Sequence, residues 1–152
     1  MSEETEQVTA QTEEVVGPSG IGGWLILPAI GLILSPFLTI STIATDIDYL
    51  DSYSRYEGLV TGELVILCVL LIFQIFVAVN FYRKKKSAPK LMIYLLGFNA
   101  GINVLLYLWV IGELGEATTE ITTGLLRGIA VAAVWIPYFL KSIRVKNTFV
   151  KD

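Results

Sequence analysis

Residues 64–86 read "LVILCVLLIFQIFVAVNFYRKKK", and this stretch decides the fold. From Leu64 to Tyr82 it carries no charge, and then Arg83, Lys84, Lys85 and Lys86 follow in a row. Wound as a helix at about 1.5 Å per residue, the uncharged part is about 28 Å long, close to the hydrocarbon core of a bilayer at about 30 Å. Buried helices of soluble proteins seldom run beyond about 14 uninterrupted apolar residues. The stretch therefore reads as a membrane span that ends at a cationic boundary.

Three further stretches have the same character. They run from about Ile21 to Ile43, from Leu91 to Ile111 and from about Thr122 to Leu140. The expected fold is all-α, a polytopic membrane protein with a bundle of four transmembrane helices over residues 21–141. Composition agrees: 54% of the 152 residues are hydrophobic and 16% charged, and the mean hydropathy is +0.66. An ordinary soluble domain carries about 25% charged residues, and a soluble chain this short has no interior large enough for so much apolar surface.

The segment before the first span, "MSEETEQVTAQTEEVVGPSG", holds Glu3, Glu4, Glu6, Glu13 and Glu14 and no Lys or Arg. A signal peptide needs a positive n-region, so the first span is expected to be retained. With almost no large apolar residues to offset its ordering entropy, residues 1–20 are expected to be a disordered acidic tail.

Orientation follows from the cations. Arg83, Lys84, Lys85, Lys86 and Lys90 lie between the second and third spans, and Lys141, Arg144, Lys146 and Lys151 at the end of the fourth and in the tail beyond it, 142–152. Only Arg55 and Arg127 belong to the other side. Positive loops stay in the cytoplasm, so both termini are expected there. The opposite face is acidic, with Asp46, Asp48, Asp51, Glu57 and Glu63 in one loop and Glu113, Glu116 and Glu120 in the other. Tyr49, Tyr53 and Tyr56 are spaced to form an aromatic belt on a short helix. "DIDYLD" has the carboxylates of a divalent-cation site but no surrounding loop motif, so a solvated loop is the expectation.

Catalytic chemistry has little to stand on. There is no His, and the single Cys68 sits inside an apolar run. That removes disulfides, zinc clusters and a Cys–His nucleophile. No catalytic, cofactor-binding or metal residues are assigned, no cofactor is expected, and the chain is expected not to be an enzyme. The partner foreseen is the bilayer, with a homo-oligomer or a membrane-protein partner beside it and no nucleic acid.

Polar groups at membrane depth are costly and therefore informative. Glu63 opens the second span, and Arg127 lies about one turn into the fourth from the same side, so an intramembrane ion pair is expected, with snorkelling of Arg127 as the other reading. Asn99, Asn103 and Tyr107 recur at four-residue intervals, and Gln74 returns to the face of Glu63. These four form a polar stripe, read either as interhelical hydrogen bonds or as the lining of a substrate path.

Small residues mark packing faces: Gly124, Gly128 and Ala132 on the fourth span, Gly97 and Gly101 on the third, and Gly31, Ser35 and Thr39 on the first. They suit packing within the bundle or a homodimer. Pro28 and Pro36 are expected to break hydrogen bonds in the first span, and Pro137 in the fourth. Trp24, Trp135 and Tyr138 sit where spans meet the cationic boundary and are expected as interfacial anchors. The final "KSIRVKNTFV" alternates cations with Ile143, Val145, Phe149 and Val150, suiting either an anionic leaflet or docking on the bundle.

Two end motifs carry a resemblance. Gly23, Trp24, Leu25 and Pro28 in "GIGGWLILPAIGLILSPF", with Trp135, Pro137, Tyr138, Ser142, Arg144, Val145 and Phe149 in "WIPYFLKSIRVKNTFV", resemble a bacterial inner-membrane family catalogued as domain of unknown function 2569. The resemblance implies a bacterial, multi-pass inner-membrane protein and supplies no reaction. Three function classes follow, in order of expectation. The first is a non-enzymatic protein acting through helix packing with itself, lipid or a membrane partner. The second is a small oligomeric channel or transporter, and the last is a membrane enzyme.

Overall fold

The computed structural model describes residues 17–52 and 57–152. Most of the acidic tail, residues 1–16, and two of the belt tyrosines, Tyr53 and Tyr56, lie outside the described residues. A 3-10 turn at Gly23–Leu25 leads into helix α1, Ile26–Ser52. There follow α2, Glu57–Tyr82, α3, Ala88–Leu114, α4, Thr119–Lys141, and a short α5, Ile143–Thr148. Among the described residues four helices are long and apolar enough to cross a membrane, over Gly23–Asp48, Val60–Tyr82, Ala88–Gly112 and Thr119–Lys141. The chain is an all-helical bundle with no strand among those residues.

The first helix runs past Ile43, where its apolar stretch was expected to stop, because no Gly or Pro interrupts residues 37–52. Its hydroxyls also need no outside partner: Thr42 donates to the Leu38 carbonyl and Thr45 to that of Ser41. Pro28 proves to be harmless. It falls in the first turn of α1, where backbone N–H groups have no intrahelical acceptor, so it breaks nothing. Pro36 and Pro137 do lie inside their helices.

The bundle is two hairpins. Helix α1 packs on α2 and α3 on α4, with a lighter seam between α2 and α3. The α2–α3 turn is a Schellman closure, with Lys84 N donating to the Phe81 carbonyl and Lys85 N to that of Asn80. That closure requires a left-handed residue, and Lys84 supplies it at φ 56°. At the other end Gly115, φ 79°, closes α3 and donates to the Ile111 carbonyl, and Thr118 caps α4 by accepting from Ile121 N.

The surface is that of a membrane protein. Phe37, Leu105 and Ile72 are 67%, 68% and 70% exposed. Apolar side chains of this size standing out from mid-helix are stable facing lipid, not water.

The buried core gathers at the cationic end. Leu25, Ala29 and Leu32 from the start of the chain meet Val77 and Phe81 from the end of α2, Ala88 and Met92 from α3, and Phe139 from α4. Val145 and Phe149 of the last segment complete this cluster, and the Phe149 ring lies 4.9 Å from that of Phe81. Of the two readings of the basic tail, the structure shows docking. Lys151 is held by backbone bonds to Lys84 and Lys86, and the Lys86 ammonium pairs with Asp152 at 2.8 Å.

The two end motifs meet in this cap. Thr148 Oγ1 is 3.2 Å from the Gly20 carbonyl. Arg144 lies against Gly22, where an added Cβ would come within 3.0 Å of its Nη1. The chain bends around that side chain with Gly20 at φ 84° and Gly23 at φ 54°, a region nearly closed to other residues.

Candidate functional site

Beside that core the hairpins part, and all four long helices line a cleft of about 620 Å³ whose inner wall is made by the core residues Leu32, Leu70, Met92 and Leu95. Helix α1 contributes Gly31, Ser35, Thr39 and Thr42, which face Asn99 and Asn103 of α3 and Gly124, Arg127 and Gly128 of α4, with Gln74 of α2 at the side. Toward the cationic end the walls become apolar, with Leu27, Leu32, Met92, Leu95, Val131 and Trp135. The cleft is thus polar in one half and greasy in the other.

Three of the four stripe residues come together here. Gln74 is buried and accepts a hydrogen bond from Thr39 at 3.1 Å. Asn103 donates to the Asn99 carbonyl at 2.8 Å and approaches the Asn99 side-chain oxygen at 3.3 Å. Tyr107 is not part of the lining.

The expected Glu63–Arg127 ion pair is not made. Arg127 lines the cleft, and among the described residues no carboxylate lies within ion-pair distance of it. Matching depth was not enough, because α2 packs on α1 and α3, whereas Arg127 rides on α4. The charge that Glu63 meets instead is the like-charged Asp46 across the α1–α2 seam, one oxygen of which is buried without a hydrogen-bond partner.

The small-residue faces divide. Gly124 and Gly128 take the Asn103 side chain against their backbone, at 3.4 and 3.5 Å from where a Cβ would stand, and Ala132 is buried on the same helix. This is packing within the bundle. Gly97 and Gly101 are exposed, with no atom of another element within 4 Å of a Cβ built there. Gly31 also has open space before it, and the Gly31, Ser35, Thr39 series lines the cleft, with Thr39 alone of the three buried against Gln74 of α2.

Of the three anchors, Trp24 is 71% exposed beside the cationic end. Trp135 and Tyr138 are half-buried and meet edge to face at 5.5 Å, and Trp135 forms part of the cleft wall. Sequence reasoning missed several polar contacts. Tyr82 donates to the Ala29 carbonyl at 2.6 Å and ties α2 to the start of α1. Asn80 is buried at the helix end, donating to Phe76, and Thr39 had been counted only as a small residue. A polar residue within an apolar run was the available signal in each case.

Four long apolar helices with lipid-exposed flanks and a half-polar interior define a multi-pass helical membrane protein. Within that class the chain belongs to the DUF2569 family, described as proteins of unknown function, whose profile matches residues 18–150. That range takes in both end motifs and all four spans. No curated protein and no solved structure matches the chain.

Proposed function

We propose that this chain is a non-enzymatic multi-pass protein of a bacterial inner membrane, and that it acts by holding a lipid or similar amphiphile in the cleft between its hairpins. One observation supports the reading: the polar groups of all four helices and the lone span arginine converge on a single cleft whose other half is apolar. A head and a tail would each find their match in it, as ligand sites between bundle helices commonly provide. In this reading the cationic end faces the cytoplasm, and the exposed Gly97 and Gly101 face is covered by lipid or by a second copy of the chain.

Gly31→Leu tests the cleft. It fills open space from an exposed position and replaces a helical glycine by a better helix former, so the fold is retained. The wild-type chain, extracted in mild detergent and analysed by mass spectrometry, should carry a stoichiometric amphiphile that the Gly31→Leu chain has lost. Equal lipid content in the two would remove the cleft as the site.

A second reading, passage of a solute through an oligomer, draws on Gln74, Asn99 and Asn103 in the lining. The apolar walls toward Trp135 oppose a water-filled path. Flux into liposomes that Asn99→Ala and Asn103→Ala abolish while folding is kept would favour it.

A further inference from the structure

Arg127 stands eight residues after Thr119, about 12 Å along α4 and inside an apolar span. On insertion scales an arginine at the centre of a membrane helix costs about 2.5–3.5 kcal/mol. Its side chain lines the cleft and has no acidic partner among the described residues, whose ion pair joins Lys86 to Asp152 at the far end. The neighbouring Asn99 uses its side-chain oxygen toward Asn103, and its amide nitrogen has no acceptor. The polar half of the cleft therefore presents donors, a guanidinium fork and an amide, without an anion to receive them.

The other half asks for a chain. From Thr42 to Leu27 the lining on α1 extends fifteen residues, about 22 Å as helix, and its apolar part from Ser35 to Leu27 is about 12 Å of that. Leu32, Leu95, Met92 and Val131 line this length. A small soluble anion at Arg127 would leave it empty, and a neutral tail alone would leave the guanidinium bare.

We infer that the cleft takes an anionic phospholipid, its phosphate seated on Arg127 and one acyl chain running toward Trp135. The inference rests on the cleft being a ligand site. A guanidinium offers two parallel N–H groups to phosphate oxygens, and a charge-assisted contact of this kind in a low-dielectric site compensates both partners. Zwitterionic lipids carry the same phosphate but bring a cationic group close to Arg127, and no carboxylate is among the residues that line the cleft. Selectivity for net anionic headgroups follows.

The test uses the full chain in phosphatidylcholine vesicles with a trace of phosphatidylglycerol bearing a photoreactive group at its chain end, and maps the adducts by peptide mass spectrometry. Adducts are expected near Met92, Val131 and Trp135, displaced by unlabelled phosphatidylglycerol and not by equal amounts of phosphatidylcholine or by inorganic phosphate. Arg127→Gln should lower cleft adducts about tenfold or more, the equivalent of one charge-assisted hydrogen bond, while Arg127→Lys, which keeps the charge and loses the fork, should fall between the two. Adducts at Ile72 and Leu105, exposed and outside the cleft lining, should be equal in all three chains and serve as the internal control.

Cleft adducts indifferent to Arg127→Gln, or displaced equally by both lipids, would overturn the inference. Displacement by inorganic phosphate alone would assign the site to a soluble anion and overturn it too. Should Arg127→Gln fail to fold, headgroup competition on the wild-type chain decides. Gly31→Leu separates the two levels: if it removes cleft adducts and Arg127→Gln does not, the cleft stands as a ligand site and the phosphate assignment falls. If the wild-type cleft takes no label, both fall.

Discussion

At the cationic end Phe81, Phe139, Val145 and Phe149 are at most 4% exposed, and they come from two long helices and the tail. At the acidic end the corresponding halves of the four long helices contribute Val110 alone to the buried hydrophobic residues among those described. The acidic-end halves are the more polar, TISTIATDIDYLDS over residues 39–52 of α1 and TEITTGLLRGIA over 119–130 of α4, so less apolar surface is there to bury. The chain beyond the spans widens the difference. The tail turns at Ser142, whose side chain caps α5 by accepting from Val145 N, and brings two large side chains back into the bundle. Among the described residues the acidic end has no such segment, and there the two hairpins part around the cleft. One end holds the fold together, and the other carries the polar part of the cleft.

This contrast breaks most sharply at Phe149. Phe149→Ala removes an aromatic ring from the sealed end and should cost about 3–5 kcal/mol, as buried aromatic truncations do. Phe37→Ala, the same change at a lipid-facing site, should stay within about 0.5 kcal/mol. Unfolding in mixed micelles with increasing denaturing detergent measures both. Equal losses would mean that the cap is no more than surface and that the division into two ends is wrong.

Glycine offers a finer cut. Gly23→Ala places a Cβ on a left-handed residue, φ 54°, at a cost of about 1–2 kcal/mol. Gly31→Ala lies in α1 with open space before it and should gain up to about 1 kcal/mol from helix propensity. Opposite signs in the same unfolding assay are the expected outcome. If Gly31→Ala also destabilises, the cleft is narrower in the membrane than between these helices.

What the sequence disclosed tracks the range of the physics. The four spans were legible because each satisfies its own backbone and only needs length and apolarity, which are local properties. The long extension of α1 to Ser52 was not, since hydropathy marks where lipid ends and not where a helix does. Gln74, Asn99 and Asn103 were recognisable as a polar set by spacing along single helices. Their meeting with Arg127 required knowing which helices are neighbours, and the same ignorance produced the Glu63–Arg127 pair. Trp135 was legible as a ring near the cationic boundary, and its place in the cleft wall depended on the hairpin opposite. Val145 and Phe149 were legible as apolar residues in a basic tail, but the partner they chose, bundle or leaflet, depended on the cavity that Phe81 and Leu25 leave.

The smallest effect tests where the sealed end gives way to the open one, at Thr39 and Gln74. Thr39 Oγ1 lies 3.0 Å from the Ser35 carbonyl and 3.1 Å from the Gln74 side-chain oxygen, and one hydroxyl proton cannot fully serve both. Turning the amide about its last bond resolves the conflict: its nitrogen then donates to Thr39, and the hydroxyl donates to Ser35. A Thr39→Val, Gln74→Leu double-mutant cycle should give a coupling of about 0.6 kcal/mol, the average for such bonds in a membrane. A coupling near zero would mean that the hydroxyl spends its proton on the Ser35 carbonyl and that Gln74 adds nothing to the seam.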